Sequence, residues 1–157
     1  MEQVLRFTVH GEPIAQKRAK FRHTKTKAGK VFGMAYSTQE TEAGKFAHMV
    51  AQQLPRGFVP HGGPVQLSAW FVSNIPKSDS KKKRAAKLSG EIEHIKKPDL
   101  DNLVKFVKDC LKRVVWLDDC QVCRYGFVEK VYGEHPRTEI EVRLIGGDNG
   151  ERQVEPV

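Results

Sequence analysis

Three aspartates carry the chemistry open to this sequence: Asp99 and Asp101, which flank Leu100, and Asp119 further along the chain. Hard divalent cations such as Mg²⁺ prefer carboxylate oxygens and keep several waters that substrate phosphates can replace. Two acids two residues apart can hold one ion when the first is still extended and the second is already helical. A third from a neighbouring loop completes the set. A metal held this way activates water and neutralises charge building up on a phosphate. The neighbours carry the opposite sign, with Lys96 and Lys97 directly before the acids and Lys105 one helical turn after Asp101. Metal-dependent phosphodiester cleavage needs both, acids for the ion and basic groups for the backbone. The same residues also have a structural reading. Asp is a preferred N-cap and first-turn acids suit the helix dipole. Asp118-Asp119 fits an ordinary turn, and Lys105 fits an i+4 partner of Asp101.

The elements that must position these residues follow from periodicity. From Leu100, the apolar residues Leu103, Val107, Cys110/Leu111 and Val114 recur every three or four positions, which predicts a helix of about 14 residues with one buried face. Gln3–His10 is rich in β-formers and reads as a strand, and Val65–Ser73 as a second. Thr38 to about Leu54 carries Phe46, Met49, Val50 and Leu54 at helical spacing and stops at Pro55. Gln121–Tyr132 and Thr138–Ile145 read as two strands joined by a turn at Gly133–Pro136. Between the first strand and first helix, Gly11 to Gly33 is polar and glycine-punctuated, which suggests a mobile loop or ribbon. Lys81–Lys87 reads as a short helix or a flexible arm. This order predicts an α+β fold, a small mixed sheet with helices packed on one face. It forms a single domain over 1–145, with a flexible polar tail over 146–157.

With 157 residues the chain is long enough to build a core without disulfides, and its three cysteines suit a reducing compartment. It has no apolar stretch of membrane-spanning length and no signal-peptide pattern, so the expected location is the cytoplasm, away from membranes. The net charge is +8 and it is clustered. Residues 15–30 hold Lys17, Arg18, Lys20, Arg22, Lys25, Lys27 and Lys30 with no acid, and a second cluster runs from Lys77 to Lys87. Clustered basic charge fits a polyanionic partner, usually nucleic acid, or else two solvated loops.

Lys97-Pro98-Asp99-Leu100-Asp101-Asn102-Leu103-Val104-Lys105, then Asp109, then Trp116-Leu117-Asp118-Asp119-Cys120-Gln121-Val122 closely resembles the signature of RusA-type Holliday junction resolvases, the crossover junction endodeoxyribonucleases. Glu129-Lys130-Val131-Tyr132-Gly133 resembles that family's Lys-x-Tyr strand end, and Gly11-Glu12-Pro13 with Lys17, Arg18 and Arg22 its basic N-terminal segment. Ala19 departs from the proline many members carry there. The resemblance implies a homodimeric, Mg²⁺-dependent endonuclease (Mn²⁺ substituting) that makes paired nicks in branched DNA, chiefly four-way junctions. Carried over residue by residue, it makes Asp99, Asp101 and Asp119 the metal ligands and Lys105 the lysine that stabilises the scissile phosphate. Lys17, Arg18, Lys20, Arg22, Lys96 and Lys97 are the expected DNA contacts. A non-catalytic branched-DNA-binding module and a flap or fork nuclease are the competing readings.

Other features point elsewhere. Cys120 and Cys123 form a C-x-x-C with no second pair; on one strand their side chains would face opposite ways, which argues against zinc. His94 and His135 lack partners at ligand spacing and read as surface residues. Trp70 and Phe71 read as core, and Phe21, Phe32 and Tyr36 as possible DNA contacts beside the basic loop.

Overall fold

The structure, a computed structural model, describes residues 2–36 and 38–146; all but the first residue of the expected tail lies outside them. Four strands form one mixed sheet: β1 (Gln3–His10), β4 (Val65–Asn74), β5 (Val122–Gly133) and β6 (Arg137–Leu144). They lie in the order β1-β6-β4-β5, with β4 and β5 parallel and the other pairs antiparallel. The remaining strands, β2 (Lys20–Lys25) and β3 (Val31–Tyr36), pair with each other as an antiparallel hairpin and, among the described residues, form a sheet of their own. The helices are α1 (Glu40–Gln52), α2 (Lys81–Ser89) and α3 (Leu100–Leu111). The α+β fold with a mixed sheet and a single core agrees with the sequence expectation.

Alternation along the strands sets the core. Leu5, Phe7 and Val9 of β1, Val65, Leu67, Ala69 and Phe71 of β4, and Ile140, Val142 and Leu144 of β6 point to one face. On that face lie Phe46 and Val50 of α1 and Leu103, Phe106, Val107, Cys110 and Leu111 of α3. The rings of Phe46 and Phe106 meet edge to face at 5.5 Å, locking the two helices together. By contrast, α2 contributes no residue to this core and packs against the edge strand β5, so single-face packing holds for two of the three helices.

The differences from expectation have physical reasons. In the segment 11–33 the ribbon alternative holds from Lys20 on, as a hairpin: Gly29 takes a positive φ of 82° at its tip, and Thr26 N donates to Lys30 O across the turn at 2.9 Å. At Lys81–Lys87 the helical alternative holds. Ser80 caps α2 by accepting from Lys83 N at 3.2 Å, and Gly90 ends it in the left-handed region. The helix predicted from Leu100 stops at Leu111, because the chain turns tightly at Arg113 (φ 66°) to bring Trp116 under the core. Cys120 belongs to a short 3-10 turn, Asp119–Gln121, and not to a strand; it and Cys123 are both exposed free thiols. His94, expected at the surface, is buried against Tyr132, with ring centroids 4.4 Å apart. Phe71 is core as expected, whereas Trp70 on the opposite face is half-buried.

Candidate active site at the α3–β5 corner

α3 supplies two kinds of surface. Its apolar stripe enters the core, and its remaining face turns Asp101, Lys105, Lys108 and Asp109 toward β5. These side chains, with Asp119, Tyr125, Leu100, Val104 and Val128, line an open cavity of about 640 Å³. Two of the three sequence-predicted acids, Asp101 and Asp119, therefore share one cavity with Lys105. Asp99 does not line it. It sits in extended geometry (φ −70°, ψ 140°) at the N-cap of α3, and its carboxylate takes the Lys97 ammonium at 3.0 and 3.2 Å. Its side chain makes no capping hydrogen bond, so it does not serve the structural role that its position suggested.

The adjacent pair Asp118-Asp119 divides its work. Asp118 Oδ1 accepts from Cys120 N at 3.2 Å and forms a capping box with Gln121. That bond, followed by the nearby Lys112 charge, holds the Asp118 carboxyl below the usual carboxylate range. Asp119 instead faces the cavity, and its Oδ1 accepts from Nε1 of fully buried Trp116 at 3.1 Å. Gln121 braces the turn: its Oε1 accepts from Leu117 N and Asp118 N, and its Nε2 donates to the carbonyls of His61 and Gly63, both at 2.8 Å. The Trp-x-Asp-Asp-x-Gln spacing thus builds one device, a rigid bracket that presents a single carboxylate.

β5 forms the opposite wall. At Gly126 it faces Ser68 of β4, where a Cβ would lie 2.1 Å from Ser68 Oγ, so any larger residue must displace that hydroxyl beside the register shift in this strand pair. Tyr125, half exposed, closes the wall, with its hydroxyl 3.5 Å from Lys108 Nζ.

Sequence reasoning left Asp109 out of the site, although it lies on the cavity wall. The available signal was spacing, since Asp101, Lys105 and Asp109 recur every four residues on one helical face. Burial, and then the charge of Asp119, push the Asp109 carboxyl above its usual range. That mutual repulsion is relieved by a cation between them, and the donor set, three carboxylates, suits a hard divalent ion. The residues therefore fit such an ion. Among the described residues, no three His, Cys, Asp or Glu side chains already stand at ligating distance from one point, so binding requires side-chain rotation. Lys105 forms no ion pair with Asp101 among the described residues and stays exposed on the wall.

The predicted DNA contacts fall beside this corner. Gln16 N donates to Asn102 O at 2.9 Å, and Gln39 Oε1 accepts from Lys17 N at 2.7 Å, so residues 16–17 are pinned between the first turn of α3 and the start of α1. From there Lys17 and Arg18 lead into the hairpin, Lys20 and Arg22 lie exposed on β2, and Lys96 and Lys97 are exposed just before Asp99. Lys87 of the second basic cluster is unavailable for such contacts, because it is buried in an ion pair with Asp79 at 2.5 Å.

A family model described as endodeoxyribonuclease RusA matches residues 10–143, nearly the whole described chain. The chain belongs to the RusA endodeoxyribonuclease family. A curated relative from Bacillus subtilis (strain 168), the uncharacterized protein YqaN, is 35% identical over 143 residues, covering 90% of this chain and 96% of that protein. The RusA match includes the hairpin, α3, the Asp119 bracket and β5. Family membership makes this a DNA endonuclease, and no described helix is long and apolar enough to cross a membrane.

Proposed function

We propose that the protein is a Mg²⁺-dependent endodeoxyribonuclease, with Mn²⁺ as a substitute, that resolves four-way junctions and related branched DNA by paired phosphodiester hydrolysis. The observation that carries this reading is the convergence of Asp101, Asp109, Asp119 and Lys105 on one open cavity in a RusA-family chain. Asp101 and Asp119 hold the cation, Asp109 adds a third carboxylate from the same wall, and Asp99 completes the set by releasing Lys97. A cation there supplies Lewis-acid neutralisation of the phosphate and lowers the pKa of a water. The bracket of Trp116 and Gln121 keeps the Asp119 carboxylate aimed into the cavity without reorganisation. Lys105 sets a fixed positive charge on the wall where the scissile phosphate gains negative charge. Lys17, Arg18, Lys20, Arg22, Lys96 and Lys97 grip flanking phosphates. A two-fold dimer would offer two such cavities to a junction of matching symmetry, which accounts for paired nicks.

Cleavage of a synthetic four-way junction, a flap and a plain duplex, each in Mg²⁺ and in EDTA, tests this. Symmetric nicks in the junction, dependent on Mg²⁺, are expected. Faster cutting of the flap would reassign the substrate, and salt-sensitive binding without any products would make the protein a binding module.

A further inference from the structure

We propose that Lys130 is a positioning residue for this site, acting through the main chain that enters α3; the proposal rests on the nuclease reading above. Lys130 lies on β5 two residues beyond Val128 of the cavity wall, and its ammonium reaches across to the segment before α3. Nζ donates to the carbonyl of Lys96 at 2.6 Å and to that of Pro98 at 2.9 Å. These two carbonyls bracket Lys97 and come immediately before Asp99. Among the described residues Lys130 has no carboxylate partner, so its charge is committed to the two peptide dipoles.

The segment has little else to hold it. Among the described residues, no hydrogen bond between main-chain atoms ties residues 93–98 to the rest of the chain. Ile95 is 88% exposed and the Lys97 side chain 86%. Its other anchor is His94, whose ring stacks on Tyr132, two residues beyond Lys130; Lys87 Nζ lies 4.5 Å from the centre of that same ring. The end of β5 is therefore the template against which the loop is set, and the Lys130 ammonium is the contact nearest the acids. Charged donors make short, strong hydrogen bonds. Removing this one leaves two carbonyls without their donor and frees the backbone from which Asp99 and the first turn of α3 begin. A displacement of about 1 Å in a reacting constellation costs roughly 100-fold in rate.

Lys130→Met, which keeps the alkyl stem, and Lys130→Arg, which keeps charge and donors, test the role in the full-length chain. Three readouts are needed: single-turnover cleavage of a four-way junction in Mg²⁺, junction affinity in EDTA, and amide hydrogen exchange. For Lys130→Met the rate is expected to fall roughly 30- to 100-fold with affinity within about twofold. Exchange should quicken over residues 93–101 while the core residues 106–111 of α3 stay protected. Lys130→Arg should recover most of the rate. A Lys130→Met rate within about threefold of wild type would overturn the proposal. So would equal losses of rate and affinity, which make Lys130 a phosphate anchor, or exchange raised throughout the chain, which makes it a general stabiliser. Absence of cleavage by the wild type would instead strike the nuclease reading, while the exchange pattern still decides what Lys130 holds.

Discussion

The β2–β3 hairpin and the α3–β5 corner both gather charge, but they do so under different physical conditions. On the hairpin and the residues leading into it, every described side chain from Lys17 to Ala35 is exposed, the charges are all basic, and none of these residues packs into the core. At the corner, acids and lysines alternate on one wall, backed by the apolar core and braced by Trp116 and Gln121. Exposed charge of one sign gives affinity that salt screens, because it exchanges phosphates for counterions. Carboxylates gathered on one wall beside a lysine suit chemistry, because the repulsion between Asp109 and Asp119 favours a cation and the Trp116 contact holds Asp119 toward the cavity. On the proposed function, the two regions divide binding from cutting.

The largest effect expected from breaking this division is at the corner. Asp119→Asn keeps the oxygen that accepts from Trp116 Nε1 and removes only the charge. Junction cleavage should fall at least ~1,000-fold, about 4 kcal/mol of barrier, with binding in EDTA unchanged or tighter. A matching loss of binding would mean that the two regions are not separate. An intermediate effect is expected at the hairpin. Lys20→Ala with Arg22→Ala should weaken junction binding and flatten the slope of log K against log salt by roughly 0.9 for each phosphate no longer neutralised. The rate at saturating enzyme should stay the same; a fall in that rate would draw the hairpin into the chemistry.

The smallest effect concerns stability. The Asp109 carboxyl sits above its unfolded value through burial and the Asp119 charge, so the folded state favours its protonated form. Its ionisation therefore costs stability, and that cost appears as pH rises from the unfolded value of 3.8 through the raised folded value. Asp109→Asn should then raise the metal-free melting temperature modestly at neutral pH, with the gain disappearing below about pH 4. A melting temperature lowered at neutral pH would mean that the ionised form is satisfied, contrary to a repulsive pair.

Much of this was legible in the sequence where one force dominates. The apolar period marked α3, the β-rich runs marked the four sheet strands, and basic charge without acids marked the segment that becomes the hairpin. The aspartates were legible as residue types, yet their roles depend on what each side chain meets. Asp118 became a cap because Gln121 closes a capping box on it, while Asp119 was freed by the buried Trp116. Asp109 was passed over because its value lies in facing Asp119 across the cavity, an interaction between separate elements. His94 misled for the same reason: nothing local foretells that the end of β5 offers Tyr132 as a stacking partner. Lys87 looked like part of a solvated cluster until Asp79 took it out of reach.

On the proposed function, cleavage depends most on the corner gripping a divalent ion through carboxylates from α3 and from the 3-10 turn. Calorimetric titration of Mn²⁺ into the DNA-free protein, wild type against an Asp101→Asn, Asp119→Asn double variant, measures that directly. Saturable binding by the wild type is expected, with at least about a tenfold weaker affinity in the double variant. Equal affinities in the two proteins would contradict it.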